Sequence, residues 1–149
     1  MDPLEAYVKN NALNIDEVPF EVMKSAFIHF GHRVEDDFVY GVKLVSLQNQ
    51  DMFKANTYEV GKVYEYEESD DTNSAFDQYD GPCGVHSAGI WSHGAIPKHV
   101  KIYPNVTLCK PILVRYKITE AMPIGTTIKG KRVEIVSHDY EDVKEYLME

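Results

Sequence analysis

The chain has 149 residues, enough for one domain with a proper core, and its 44% apolar and 11% aromatic content is that of an ordinary globular protein. No apolar run approaches the roughly 20 residues that span a bilayer, and the start, Met1-Asp2-Pro3-Leu4-Glu5, lacks the basic and apolar regions of a signal peptide. A formal net charge of −9 argues against a phosphate-tracking surface, because nucleic-acid affinity rests on Lys and Arg releasing counterions. These features lead us to expect a cytoplasmic location, no membrane and no nucleic acid, with Cys83 and Cys109 reduced. The charge then serves solubility, or forms an acidic face that docks a basic partner or imitates nucleic acid.

Two helices are expected first. Asp2 followed by Pro3 reads as an N-cap with Pro at the first helical position, and Asn10-Asn11 as a stop. Asp16 is a candidate cap for the second helix, with Pro19 in its first turn. Phe20, Met23, Phe27 and Phe30 recur at helical spacing and read as a core stripe, ended by Gly31. His29 and His32 have a zinc-like HxxH spacing, but Gly31 interrupts the face, so the pair is read as structural or exposed.

From Phe38 to Val45 the residues are strand formers, with Gly41 marking a bulge or close approach. A short strand or turn to Val60 and a strand from Lys62 to Tyr66 follow, with Gly61 between them. Glu65, Glu67, Glu68, Asp70, Asp71, Asp77 and Asp80 then occur with no Lys or Arg among them, which predicts a solvated acidic loop over 65–80. Asp70, Asp71, Asn73 and Asp77 resemble a calcium loop, yet neither frame has Gly at its sixth position with Glu at its twelfth.

The stretch from Gly81 to Gly94 holds the only Trp, Trp91, and one of the two Cys. It predicts a turn, a strand from Val85 to Trp91 broken by Gly89, and a loop over Trp91-Ser92-His93-Gly94-Ala95-Ile96-Pro97. Strands are expected at His99–Tyr103 and Val106–Lys110. In the next, Ile112, Val114, Tyr116 and Ile118 face the core, while Leu113, Arg115, Lys117 and Thr119 turn largely to water. Thr126–Ile128 and Lys131–Val136 read as a hairpin turning at Gly130. Ser137 or Asp139 caps a short last helix carrying Tyr140, Val143 and Leu147.

The residues best suited to chemistry are Cys83, His86, His93, His99 and Cys109. Cys83-x2-His86 has a metal-ligand spacing, and thiolate with imidazole suits zinc. Against this, a strand Cys is ordinarily a small buried hydrophobe. Cys83 as a nucleophile would need His86 or a helix N-terminus to lower its pKa, and no helix follows it. P-loop, GxSxG and HExxH patterns are absent. An ADP-ribosyltransferase-like arrangement would use His86 with Tyr116 and Glu134, weighed against a plain hydrogen-bonded sheet histidine.

Tyr58, Val60, Gly61, Lys62, Tyr64 and Glu65, followed by Gly84 and His86, spell a YxVGKxYE element and then a Gly-x-His strand. In these, over about residues 38–136, the chain resembles small uncharacterised proteins of bacteriophages and large viruses. That family continues after its His with a helix, which Gly89, Gly94 and Pro97 oppose here. The resemblance implies a phage-type accessory protein, located in the host cell, and carries no activity with it.

The expected fold is α+β in one domain over 1–149: a helical segment (1–34), a β-rich body (38–136) with a mainly antiparallel sheet of about six strands, and a C-terminal helix (137–149). The expected function is binding: modulation or inhibition of a host protein, or sequestration of a small ligand. The contact surface would be Trp91, Tyr79, Glu67, Glu68, Asp70 and Asp71. The alternative is a small enzyme or nucleotide-binding protein, ADP-ribosyltransferase-like or zinc-dependent, with its site around Cys83, His86 and His93 and with Glu134 as a further catalytic candidate. Weak metal candidates are Cys83, His86, His93 and His99; no cofactor is expected, zinc being the one considered, and homo-oligomerisation is compatible with either reading.

Overall fold

A computed structural model of the chain describes residues 3–11, 17–46, 57–65, 90–93, 96–97 and 109–148. Helix α1 (Pro3–Asn11) starts on Pro3, as the dipeptide predicts, and buries Leu4. Helix α2 (Phe20–His29) starts later than Asp16 would place it. Pro19 itself is the extended N-cap, and its carbonyl accepts from Val22 and Met23 at 3.1 and 3.0 Å. The helix buries Met23, Ala26 and Phe27, while Phe20 and Phe30 are half-buried. It ends in a Schellman motif: Gly31, at φ 82°, donates to Ile28 O, and His32 N–H to Phe27 O.

Among the described residues ten strands follow: β1 (Arg33–Glu35), β2 (Phe38–Ser46), β3 (Val63–Glu65), β4 (Ile90–His93), β5 (Ile96–Pro97), β6 (Cys109–Lys117), β7 (Ala121–Ile124), β8 (Thr127–Gly130), β9 (Arg132–Ser137) and β10 (Leu147–Met148). Helix α3 (Tyr140–Val143) and a 3-10 turn (Lys144–Tyr146) precede β10. Eight strands make one sheet, in the order β3-β9-β6-β2-β4-β8-β7 with β1 on β2, and every pairing in it is antiparallel. β5 and β10 form a separate two-stranded parallel ribbon. The α+β architecture is as the sequence predicts. The extra strands, such as β1 and β7, are too short to show alternation.

Three local expectations are corrected. Residues 91–93 and 96–97 are strand, not loop, because β4 pairs with β8 through His93 and β5 pairs with β10. The predicted hairpin at Gly130 does not exist: β8 pairs with β7 and β4, and β9 with β6 and β3. The hairpin is β7–β8, turning at Gly125-Thr126 with Gly125 at φ 57°, a conformation that suits glycine. Leu113, expected toward water, is buried under Val143 and Tyr146. Pro111, which has no N–H to donate, pairs with Leu44 of β2 and lies before the stretch from Leu113 to Arg115 where β6 meets β9.

The main core lies on one face of the sheet. Val39 and Val45 of β2, Ile112, Val114 and Tyr116 of β6, and Val133 and Ile135 of β9 meet Leu4, Met23, Ala26 and Phe27 there. On the other face a smaller cluster, Val42, Leu113, Val143 and Tyr146, is capped by the C-terminal turns. The sheet curls strongly around the main core. β6 and β8 are separated by β2 and β4, three spacings or roughly 14 Å in a flat sheet. Yet a Cβ on Gly130 would lie 2.0 Å from Cδ2 of Tyr116. Across the same face the Tyr116 hydroxyl hydrogen-bonds Ser92 Oγ of β4 at 2.7 Å, both groups being buried. Burial pushes the Tyr116 pKa well up, so the phenol stays neutral.

Gly130 is therefore a packing glycine, required by a ring rather than by a turn. Gly130→Ala should destabilise the protein by at least about 1–3 kcal/mol, the range for overpacked cores. Urea unfolding checks this, and an unchanged midpoint would mean that Tyr116 does not occupy that space.

Candidate functional site

Tyr79, Glu67, Glu68, Asp70, Asp71, Cys83, His86 and His99 lie outside the described residues. Trp91 and His93 fall in β4, in register with Lys129 and with Thr127 respectively, and His93 also with Val42 of β2. Between them, Ser92 is buried against Tyr116. Cys109 opens β6 opposite Ser46. Tyr116 and Glu134 are not brought together. Tyr116 faces the main core, whereas Glu134 alternates with the core residues Val133 and Ile135 and so stands on the opposite face. Among the described residues, no three His, Cys, Asp or Glu side chains are grouped to hold a metal.

The face that carries Glu134 is the candidate site. Antiparallel register sets Arg33 of β1 opposite Tyr40 of β2, Tyr40 opposite Arg115 of β6, Arg115 opposite Glu134 of β9, and Glu134 opposite Val63 of β3. Residues directly opposite in register share a face, so these five side chains form one rung across five strands. Glu35, Phe38 and Lys117 lie on the neighbouring rung. The C-terminal turns cover the sheet over Val42 and Leu113, and half-buried Tyr40 packs against this cluster at the border of the rung. Arg33 and Val63 are 53% and 55% exposed, and Arg115 and Glu134 about half as much.

Both arginines stand over aromatic rings. The Arg115 guanidinium carbon stands 3.9 Å from the centroid of Phe38, and that of Arg33 stands 4.9 Å from the centroid of Tyr146. Arg115 donates through Nη1 to Tyr40 Oη at 3.2 Å and through Nη2 to Glu134 Oε2 at 3.0 Å, while its buried Nε has no partner. Burial works against the Arg115 charge, but Tyr40 and Glu134 outweigh it and raise its pKa. Arg33 donates to Glu145 at 2.5 Å. Partial burial raises the Tyr146 pKa, although the neighbouring Arg33 charge opposes this. The carboxylates orient the arginines without covering them.

The YxVGKxYE element forms one border of this face, and each of its key residues has a structural task. Lys62 N–H closes a turn onto Glu59 O, with Gly61 at φ 86° as a type II turn demands. Gly61 N–H donates to Ile135 O and Ile135 N–H to Lys62 O, which fastens the turn to β9. Tyr64 donates to Thr57 O and accepts from Glu59 N–H, both at 2.8 Å, and packs edge-on against buried Tyr58. The Lys62 ammonium pairs with Glu59. The motif is thus a clasp that holds the edge strand β3, with Val60 and Val63 exposed along it.

Sequence reasoning did not single out Arg33, Tyr40 or Arg115. Alternation places Phe38 with Tyr40, and Arg115 with Lys117, but only the pairing of β2 with β6 puts the two sets side by side. Lys129, fully buried on β8, was also passed over, because Lys129-Gly130 reads as a turn. Glu134 was nominated as catalytic, and the structure gives its carboxylate to Arg115. Glu134→Gln should cost only about 0.5–1 kcal/mol in urea unfolding, since the pair is partly solvated. A larger loss would mark the pair as a structural keystone. No family model matches the chain, and no curated protein or solved structure matches it.

Proposed function

We propose that the protein acts by binding, as a phage-type accessory protein that modulates or inhibits a host protein in the host cytoplasm. The observation that supports this reading best is the rung of exposed Arg33 and partly exposed Tyr40, Arg115 and Glu134, flanked by Phe38 and Tyr146. Arginine and tyrosine are the residue types favoured at interface centres, and here both guanidinium groups already stand over rings and are hydrogen-bonded. Ordering before binding lowers the entropy lost on association. The occupant that fits is a protein surface bearing carboxylates for Arg33, Arg115 and Lys117, bordered by basic groups. The basic groups would meet the acidic stretch 65–80, which starts where β3 ends. In this reading Glu67, Glu68, Asp70 and Asp71 supply charge, and Tyr79 and Trp91 supply aromatic anchors.

Two variants divide the surface. Arg33→Glu with Lys117→Glu reverses the basic part, and charge reversal at Glu67, Glu68, Asp70 and Asp71 reverses the acidic part. Wild-type protein should retain a stoichiometric partner from host lysate, and each variant should lose it by a factor of about ten or more. Thermal unfolding should be nearly unchanged in both. A partner held equally well by both variants contradicts the proposal. A native mass spectrum of protein purified without chelator checks the competing reading. Added mass equal to zinc or a nucleotide would move attention to Cys83, His86 and His93.

A further inference from the structure

We propose that His32 is an acid-responsive latch between helix α2 and the β7–β8 hairpin. Its backbone belongs to the Schellman motif described above, so Gly31 delivers the ring to a fixed place. There the ring is 7% exposed and stands edge-on to Phe27, with centroids 5.5 Å apart. Nε2–H donates to the carbonyl of Gly125, 2.9 Å away, in the tight turn of the hairpin. A carbonyl only accepts, so the proton must sit on Nε2 and the neutral ring leaves Nδ1 bare. Nδ1 is buried and has no hydrogen-bond partner.

Protonation would add an N–H at Nδ1 with nothing to receive it, and a charge in a place shaped for a neutral ring. Among the described residues, no charge pairs with the ring. Helix α2 carries Glu21, Lys24 and His29, Arg33 and Glu35 follow on β1, Glu120 lies in the adjoining 3-10 turn, and Lys129 is the charged residue of the hairpin. None of them hydrogen-bonds or ion-pairs with the ring. Arg33 is engaged with Glu145, and Glu120 with Arg132. Burial lowers the His32 pKa from its ordinary 6.5, and the Gly125 carbonyl recovers part of the shift.

The sign follows from linkage. The folded state binds fewer protons at this site than the unfolded chain does. The contribution of His32 is complete above the unfolded value of about 6.5 and is lost as pH falls toward and through the folded pKa. The element released is the β7–β8 hairpin, which also carries Gly130 against Tyr116.

Two measurements test the latch. In wild-type protein, the His32 ring resonances should titrate with a midpoint below the value of about 6.5 for an exposed histidine. Over the same range, amides of Ala121–Gly130 should lose protection from exchange beyond the intrinsic pH effect. His32→Gln keeps an N–H for Gly125 but cannot titrate. Its urea midpoint should therefore fall less than that of wild type between about pH 7.5 and about pH 5.5. The ring titration stands even if the variant folds poorly. A midpoint at or above about 6.5, or an equal acid loss in both proteins, overturns the proposal.

Discussion

The tyrosine ring that fills the space beside Gly130 sets the shape of the whole sheet. Tyr116 stands on β6, Gly130 on β8 and Ser92 on β4, and the ring and its hydroxyl touch both neighbours at once. Two strands that a flat sheet would keep apart are thereby drawn together over the main core. The interaction has a steric part, the missing Cβ, and a polar part, the buried hydroxyl pair. Neither part tolerates change easily: added volume has nowhere to go, and loss of the phenol oxygen would leave buried Ser92 without its partner.

Among the described residues, the other face of the sheet is covered only in part. The helices α1 and α2 fill the concave side with Leu4, Met23, Ala26 and Phe27, and the C-terminal turns reach only part of the convex side. What remains is a surface whose side chains cannot retreat into a core. Arg33 and Arg115 lie on Tyr146 and Phe38, and their charges are satisfied sideways by Glu145, Tyr40 and Glu134. An exposed ion pair adds little to stability, so this arrangement is poorly explained by folding alone. Order without much stabilisation is the feature that favours a role in recognition.

Much of the fold was legible because it is local. Pro3 and Gly31 mark helix ends through backbone geometry, and period two identifies the core side of β6 from Ile112 to Tyr116. What was not legible depends on pairing. Gly130 looks like a turn residue because glycine serves both turns and close approaches, and only the position of Tyr116 decides between them. Leu113 looks solvent-facing until α3 packs over it. The Arg33-Tyr40-Arg115-Glu134 rung draws on four strands spread over a hundred residues of sequence, so no window contains it. The YxVGKxYE element was readable as a unit, and its meaning is mechanical: Gly61 makes the turn and Tyr64 ties it shut.

The most direct measurement is proton NMR of Gly130 and Tyr116 in the wild-type protein. An α-proton of Gly130 should lie against the Cδ2–Cε2 edge of the Tyr116 ring, with intense cross-relaxation to the ring Hδ and Hε protons. The Tyr116 hydroxyl proton should be slow to exchange, being buried against Ser92. The absence of any cross-peak from Gly130 to the Tyr116 ring would contradict the curled sheet and the division of its two faces that follows from it.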